Sequence, residues 1–211
     1  DCNISVKPTH IGLGGGKHIY QKNLNYIHKE AIKQNNFLRI DMENSLLTDI
    51  TIETFYKEHK IKKNIGIVIQ AYLFRSLDDI KNLDNGMNIR LCKGIYNESA
   101  SIAIKDPNKI NENYIKLLKT AFEKNIYVGI ATHDIKLIKK ILEVIKEINI
   151  QKNRFEFQVL YGVPMGNMIN RLLNNNYKVR VYVPYGDEWY NYSLRRLKEN
   201  PNITSYIIKN L

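Results

Sequence analysis

Short runs of apolar, β-favouring residues recur seven times along this chain, and amphipathic helical patterns lie between them. The runs are Ser5–Thr9, Phe37–Asp41, Asn64–Gln70, Asn88–Lys93, Tyr127–Thr132, Phe155–Leu160 and Lys178–Pro184. The clearest helical patterns cover Tyr20–Gln34, Thr51–His59, Asn113–Asn125 and Ile135–Asn149. Strands that alternate with helices are typical of a parallel sheet in an α/β protein. The chain is therefore predicted to contain seven β/α units.

Polar or charged residues cluster where each predicted strand ends. They are Lys7, Asp41, Gln70, Arg90 with Lys93, Thr132 with His133, Gln158, and Tyr182. An α/β barrel places its active site at that rim. A doubly wound open sheet has the same alternation but usually carries a glycine fingerprint at its first turn, and residues 12–17 (GLGGGK) fit neither the dinucleotide nor the P-loop pattern. We interpret this glycine run as a flexible loop, with a phosphate contact as the weaker alternative.

Two adjacent arginines, Arg195 and Arg196, follow the last predicted strand. If residues 188–200 are helical, both arginines share one helix face with Tyr192 and Glu199. A guanidinium group forks its N–H donors to match the two oxygens of a carboxylate, so such a pair can hold a small acid. Spacing alone favours the simpler explanation, a surface ion pair between Arg195 and Glu199. The pattern by itself does not separate the two.

Seven segments, in the same order along the chain, closely resemble the proline dehydrogenase family of FAD-binding enzymes. The segments are Ser5–Thr9, Arg39–Ser45, Gly66–Leu73, Arg90–Tyr96, Ala131–Asp134, Arg154–Gly162 and Val179–Pro201. The resemblance covers almost all of the 211 residues. It implies a (βα)8 TIM-type barrel and strengthens the ligand-binding interpretation of the paired arginines. Because the segment before Lys7 is too short for a strand and its helix, the chain is expected to supply strands 2 to 8 and to lack the first βα unit.

The resemblance also implies an activity, namely oxidation of L-proline to Δ1-pyrroline-5-carboxylate. Hydride passes to the N5 atom of the flavin, and the electrons pass on to a quinone. By resemblance, the substrate carboxylate is held by Lys7, Arg195 and Arg196, and the proline ring is walled by Tyr96, Leu160, Tyr182 and Tyr192. Asp41 would keep Tyr182 in place. The alternative for Lys7 and Asp41 is a structural ion pair that closes the rim.

For the FAD cofactor, the resemblance places Arg90 beside flavin N5, where a fixed positive charge stabilises the reduced anion, and Gln70 at the pyrimidine edge. Further positions that match cofactor contacts are Lys93, Gly94, Thr132, His133, Gln158, Arg196 and Glu199. Glycine at position 94 suits a close backbone approach. His133 has an ordinary alternative as a cap of the following helix. Residues 105–109 match the family's basic phosphate-binding loop only loosely, so the phosphate contacts are left unassigned.

Length and composition fit one incomplete barrel domain over residues 1–211, since a complete α/β barrel typically needs about 250 residues. Two cysteines, Cys2 and Cys92, are too few for a disulfide framework and indicate a reducing compartment. The five histidines show no ligand spacing with either cysteine, so no metal site is expected. No apolar run approaches the roughly 20 residues of a membrane-spanning helix. The protein is therefore expected in the cytoplasm.

A formal net charge of +11 raises nucleic acid and anionic membrane as partners. The lysines are scattered among asparagine and isoleucine, and no nucleic-acid-binding motif accompanies them, so we expect no nucleic-acid partner. Weak peripheral contact with the acidic lipids of the inner membrane is a plausible use of the charge, because the family donates electrons to membrane quinone. Two alternatives to the proline enzyme stay open: a catalytically silent or incomplete barrel that does not retain flavin, and a dehydrogenase for hydroxyproline.

Overall fold

The computed structural model describes residues 2–186 and contains one sheet of seven parallel strands. The strands are β1 (Asn3–Val6), β2 (Phe37–Ile40), β3 (Ile65–Gln70), β4 (Asn88–Cys92), β5 (Tyr127–Ala131), β6 (Phe155–Leu160) and β7 (Val179–Tyr182). The helices are α1 (Lys17–Lys33), α2 (Thr48–Ile61), α3 (Ser76–Asn82), α4 (Pro107–Glu123), α5 (Ile135–Glu147) and α6 (Met168–Asn174). Strands are neighbours in the sheet in the order in which they follow one another along the chain. The predicted strand–helix alternation is confirmed.

The sheet curls strongly, as side-chain contacts between distant strands show. The Tyr182 hydroxyl at the end of β7 donates to Asp41 just after β2 at 3.4 Å, and Arg90 of β4 donates to Ser5 of β1 at 3.1 Å. Neighbouring strands lie about 4.8 Å apart, so β2 and β7 would be about 24 Å apart in a flat sheet. The barrel class predicted from the sequence is thus confirmed. That a further βα unit precedes β1 stays a prediction.

Successive side chains of a strand point to opposite faces, and the two faces of this sheet differ sharply in polarity. One face carries buried apolar side chains that pack in the main core with the helices, among them Leu38, Ile67, Leu91, Ile130 and Phe157. The other face carries polar side chains that meet inside the curl, namely Arg39, Asp41, Asn88, Arg90, Glu156 and Gln158. Barrels of this kind usually fill their interior with branched apolar residues. Here hydrogen-bonded polar side chains fill much of the interior instead.

Strand β1 lies earlier than the predicted run Ser5–Thr9. It ends at Val6 because the chain then turns: the Ile11 N–H donates to the Lys7 carbonyl at 3.2 Å and the Leu13 N–H to the Pro8 carbonyl at 3.0 Å. Proline has no N–H with which to extend a strand ladder. The glycine run also differs from the flexible loop that we predicted, because Leu13–Gly15 forms a short 3-10 helix directly before α1.

Helix α4 begins six residues before the predicted start at Asn113. Its cap is Asp106, whose carboxylate accepts the N–H groups of Asn108 and Lys109 at 2.7 and 3.3 Å, and Pro107 opens the first turn. Residues 105–109, compared above with a phosphate-binding loop, therefore start a helix. Helices α3 and α6 have only seven residues each and were not predicted from the sequence. Within residues 2–186, no helix combines the length and apolar character of a membrane span.

Candidate active site

A cavity of about 530 Å³ opens where the strands end. Its wall contains twelve residues that the sequence pointed to: Lys7, Asp41, Gln70, Arg90, Lys93, Gly94, Tyr96, Thr132, His133, Gln158, Leu160 and Tyr182. They come from β/α units spread over the whole described chain and meet because the sheet curls. The predicted helix over residues 188–200, with Tyr192, Arg195, Arg196 and Glu199, lies outside the described residues.

The Arg90 guanidinium forms part of the cavity wall and is held by several neighbours. Its Nη1 donates to Asp41 at 2.6 Å and its Nε to Gln158 at 2.7 Å, and its Cζ lies 5.2 Å from the centre of the Tyr182 ring. The side chains of Arg90 and Asp41 are only 13% and 12% exposed, so this ion pair is shielded from water. Asp41 thus pairs with Arg90, and the alternative ion pair between Lys7 and Asp41 is not formed within residues 2–186.

Ser5 completes the polar cluster around Asp41 and was missed in the sequence. Its hydroxyl donates to Asp41 Oδ1 at 2.9 Å and accepts from Arg90 Nη2 at 3.1 Å, so both of its hydrogen-bonding capacities are used. Tyr182 donates to the other oxygen of Asp41 at 3.4 Å. One signal was available, because Ser5 lies two residues before Lys7, which is the spacing of side chains on one face of a strand.

The Lys7 ammonium and the Gln70 amide oxygen are polar groups of the cavity wall with no partner in the part of the chain that the structure describes. The Lys7 ammonium makes neither a hydrogen bond nor an ion pair within residues 2–186. The Gln70 Oε1 atom is buried and accepts no hydrogen bond from a described residue. A buried acceptor without a partner is costly, so Gln70 is suited to a ligand, and the partly buried Lys7 offers a positive charge on the same cavity. The lysine suits a carboxylate, and the amide oxygen suits an N–H donor.

Lys93 is held by Asp134, which the sequence did not single out. The ammonium donates to Asp134 Oδ2 at 2.7 Å, while Oδ1 of the same carboxylate caps α5 by accepting the N–H groups of Lys136 and Leu137. Burial would raise the pKa of Asp134, but the hydrogen bonds from Lys93 and the Leu137 N–H outweigh it and hold that pKa below its ordinary value. An aspartate directly before the amphipathic run at Ile135 was the available signal.

His133 is fixed by a backbone hydrogen bond and is not a helix cap. The Leu160 N–H donates to its Nε2 atom at 2.9 Å, so the proton of the neutral ring sits on Nδ1. Burial lowers the pKa of His133, which keeps the imidazole neutral at pH 7. The cap of α5 is Asp134, and the alternative role suggested for His133 is therefore wrong.

Gly94 is needed for the packing of its own loop. Its φ angle of 106° lies in the left-handed region, and a Cβ atom at this position would lie 2.1 Å from Cδ1 of Tyr72. Only glycine fits both conditions. The Tyr72 ring occupies the space that a side chain at this position would need, and the close approach of a cofactor to Gly94 stays a prediction.

A second set of polar side chains fills the barrel interior further from the rim. We call Arg39, Asn88, Glu156 and Arg180 the lower layer, and Asp41, Arg90, Gln158 and Tyr182 the upper layer. Arg39 is 1% exposed and donates to the backbone carbonyls of Ile67 and Asn88, each at 3.0 Å. Glu156 accepts from Arg180 at 2.6 Å and from Gln158 at 2.7 Å, so the Gln158 amide joins the two layers.

Comparison with known proteins identifies the family. The chain matches the family model for proline dehydrogenase over residues 1–208. It is 35% identical to proline dehydrogenase 2 of Bacillus subtilis, covering 100% of this chain and 70% of that protein. It is 33% identical to proline dehydrogenase of Deinococcus radiodurans, covering 99% and 69%.

Solved structures show the same fold. The chain superposes on proline utilization A from Bdellovibrio bacteriovorus with a TM-score of 0.77 and 25% identity, covering 87% of this chain and 22% of that one. A Bradyrhizobium japonicum proline utilization A gives a TM-score of 0.79 at 20% identity, covering 93% and 24%. The chain thus spans about a quarter of the length of these structures. With a family match over almost its full length, the chain belongs to the proline dehydrogenase family, a family of oxidoreductases.

Proposed function

We propose that this barrel is an FAD-dependent proline dehydrogenase that oxidises L-proline to Δ1-pyrroline-5-carboxylate and passes the electrons to a quinone. Membership of the family supports the reaction class. The observation that carries the proposal is a pair of groups in one cavity, the Lys7 ammonium and the Gln70 amide oxygen, neither of which has a partner among residues 2–186. One fits an amino-acid carboxylate, and the other fits the N–H of a flavin ring.

The cavity fits the flavin part of FAD. Its volume of about 530 Å³ is in the usual range for ligand pockets, roughly 300 to 1,000 Å³. The Gln70 Oε1 atom, which accepts no hydrogen bond from a described residue, is a suitable acceptor for the N–H group on the pyrimidine edge of the isoalloxazine. When bound, FAD accepts hydride from the proline carbon next to the ring nitrogen. The residues proposed to surround it are Gln70, Arg90, Lys93, Gly94, Thr132, His133 and Gln158, with Arg196 and Glu199 from outside the described residues.

The protein's own work in this proposal is positioning and electrostatics. Lys7 binds the substrate carboxylate, together with Arg195 and Arg196. Tyr96, Leu160 and Tyr182 enclose the proline ring and exclude water. Asp41 holds Tyr182 and, through its shielded ion pair, keeps the Arg90 guanidinium at a fixed place in the wall. Such a preorganised charge needs no rearrangement during the reaction.

Delivery of electrons to a quinone requires access to a membrane. The net charge of +11 favours weak peripheral contact with anionic lipids, a contact that salt should weaken. We propose no nucleic-acid partner, because the basic residues accompany no recognition motif.

The test is a flavin titration followed by anaerobic addition of proline. FAD should bind to the chain, and proline should bleach its visible absorbance. Gln70→Leu should lower FAD affinity by about ten-fold, because it removes the acceptor for a buried N–H. Gln151→Leu is the matched control, since Gln151 is exposed and far from the cavity. A chain that binds FAD with no bleaching by proline would contradict the proposed substrate, and equal affinities of the two variants would contradict the role of Gln70.

A further inference from the structure

Three loops at the rim carry residues of the proposed substrate site. We name them after the strands that they follow: rim loop 1 (residues 7–16), rim loop 2 (residues 41–47) and rim loop 4 (residues 93–106). Lys7 lies in rim loop 1, Asp41 in rim loop 2 and Tyr96 in rim loop 4. Loops are usually the most mobile parts of a fold, so a site built on three of them needs a device that fixes their spacing.

Glu98 joins rim loop 4 to rim loop 2. Its Oε1 atom accepts the backbone N–H of Ser45 at 2.6 Å, and its Oε2 atom accepts the Ser45 hydroxyl at 2.7 Å. The Glu98 N–H also donates to the Tyr96 carbonyl at 3.0 Å, so the carboxylate and Tyr96 belong to one tight turn. Hydrogen bonds to a carboxylate are stronger than those between neutral groups. A movement of this turn away from rim loop 2 must therefore break two strong bonds.

Glu43 joins rim loop 2 to rim loop 1 with the same geometry. Its Oε2 atom accepts the backbone N–H of Thr9 at 2.8 Å, and its Oε1 atom accepts the Thr9 hydroxyl at 2.7 Å. Glu43 is 8% exposed, so water competes little for these bonds. Lys7 lies two residues before Thr9. Rim loop 2 is thus clamped on both sides, once through its own carboxylate and once through its own serine.

Backbone hydrogen bonds anchor both ends of rim loop 4, the Lys105 ammonium donates to the Glu98 carbonyl within the loop, and the Glu98 carboxylate ties its middle to rim loop 2. The end of rim loop 4 is fixed to the loop after β3, where the Ile104 N–H donates to the Tyr72 carbonyl at 2.8 Å and the Phe74 N–H to the Ile102 carbonyl at 3.1 Å. Its start continues strand β4, and the Tyr72 N–H donates to the Lys93 carbonyl at 2.8 Å. Tyr96 stands between these two anchored ends, and Glu98 ties that stretch to another loop.

We propose that Glu43 and Glu98 are positioning residues that clamp the three rim loops into one unit and so fix the spacing of Lys7, Asp41 and Tyr96 around the substrate. The identity of that substrate rests on the proposed function, whereas the clamps do not. Removing the Glu98 carboxylate unties the turn that carries Tyr96 from rim loop 2 and weakens substrate binding more than the chemical step. Glu98 acts through Tyr96, and its effect on binding disappears once the Tyr96 side chain is removed.

The role of the Glu98 carboxylate can be tested with variants that remove two, one or none of its bonds to Ser45. Glu98→Ala removes both bonds to Ser45. Glu98→Gln can keep both, because its oxygen accepts the backbone N–H and its amino group donates to the hydroxyl, so it should rescue most of the loss. Ser45→Ala removes one bond of the two. Glu53→Ala is the matched control, since Glu53 is an exposed glutamate of α2 that pairs with Lys17 and Lys57.

Hydrogen exchange and proline kinetics are measured on each variant. In Glu98→Ala, exchange of the Ser45 amide should accelerate about ten-fold or more, and the proline KM should rise about ten-fold with a smaller change in kcat. Ser45→Ala should show a smaller rise in KM, and Glu98→Gln and Glu53→Ala should stay near wild type. In a Tyr96→Ala background, Glu98→Ala should add little to KM.

Two results would overturn the inference: unchanged exchange of the Ser45 amide in Glu98→Ala, or a KM effect of Glu98→Ala that persists in full without the Tyr96 side chain. If Glu98→Ala does not fold, Ser45→Ala, which removes the bond from the Ser45 hydroxyl to the carboxylate, decides by the same two measurements. If the wild-type chain does not turn over proline, the proposed function fails, and the exchange data alone then decide whether the clamp exists.

Discussion

The lower and upper layers of the barrel interior are built from the same kinds of side chain and differ in what surrounds them. In the lower layer, Glu156 is 2% exposed and is enclosed by Arg180, Gln158 and Tyr127. In the upper layer, the pair of Asp41 and Arg90 borders an open cavity, and the Lys7 ammonium in the wall of that cavity has no partner in the described part of the chain. The comparison teaches that polar groups deep in this barrel maintain the fold, whereas those at the rim are available to a ligand. Substitutions in the lower layer should therefore reduce the free energy of unfolding, whereas those at the rim should affect ligand binding.

The largest effect is expected from breaking the lower layer with Glu156→Ala. This change removes the buried carboxylate that accepts hydrogen bonds from Arg180, Gln158 and Tyr127, and loss of one partner of a buried pair typically costs about 3 to 5 kcal/mol. The free energy of unfolding, measured with urea, should fall by that amount. Glu30→Ala, which removes an exposed carboxylate from α1, should leave it unchanged. A loss below about 1 kcal/mol would mean that the lower layer does not maintain the fold.

Lys7→Met at the rim is expected to weaken proline binding and to leave the free energy of unfolding almost unchanged. Because Lys7 has no partner within residues 2–186, its removal should change the free energy of unfolding by less than about 0.5 kcal/mol. Loss of a carboxylate-binding charge should weaken proline binding by about 2 kcal/mol, which is roughly a thirty-fold rise in KM. Lys22→Met on the exposed face of α1 is the control. Equal proline KM values for the two variants would remove Lys7 from the site.

A smaller effect, on the reduction potential of bound FAD, is expected from Arg90→Gln in the upper layer. A positive charge near the flavin favours its reduced anion, so its removal should lower the reduction potential of bound FAD. Since Asp41 partly neutralises Arg90, we expect a change of roughly 30 mV, which corresponds to about 1.4 kcal/mol for two electrons. Arg171→Gln, an exposed arginine of α6, serves as control in a redox titration. An unaltered potential would give Arg90 a structural role only.

The smallest effect concerns the pH dependence of stability at His133. Burial lowers the pKa of this histidine, so the unfolded chain binds the proton more readily than the folded protein. The stability that it contributes is fully present above the ordinary pKa of 6.5 and is lost as the pH falls from there through the lowered folded value. His133→Gln should therefore reduce the difference between the free energies of unfolding at about pH 8 and about pH 5.5. An unchanged difference would show that His133 does not titrate in this way.

The sequence located most strands closely because their local pattern is strong. Six of the seven predicted runs overlap their strands to within two residues at each end, and the polar residues that follow them line one cavity. The first strand was misplaced because its apolar pattern runs on past Val6, while the backbone already turns at Pro8. The start of α4 was missed because its capping aspartate precedes the apolar positions by several residues.

The partners across the barrel were beyond the reach of sequence patterns. The contacts of Thr9 with Glu43 and of Ser45 with Glu98 join residues 34 and 53 positions apart, and no helical or strand period relates them. The lower layer was missed for another reason. Arg39 and Glu156 lie within runs that were interpreted as apolar strands. The curl of the sheet brings them together in the barrel interior. Gly66 leaves room for the buried arginine there, because a Cβ atom at position 66 would lie 2.4 Å from the guanidinium.

The sequential strand order has a consequence for how this molecule folds. Each strand pairs with the next one along the chain, so most of the sheet can form by closing one short loop at a time. The hydrogen bond between Tyr182 and Asp41, by contrast, joins residues 141 positions apart, and that between Arg90 and Ser5 joins residues 85 positions apart. During refolding, secondary structure and apolar burial should therefore recover before these bonds form. The proposed substrate site is then expected to be the last part of the molecule to assemble, and a chain halted just short of the native state should have a core but no affinity for the substrate.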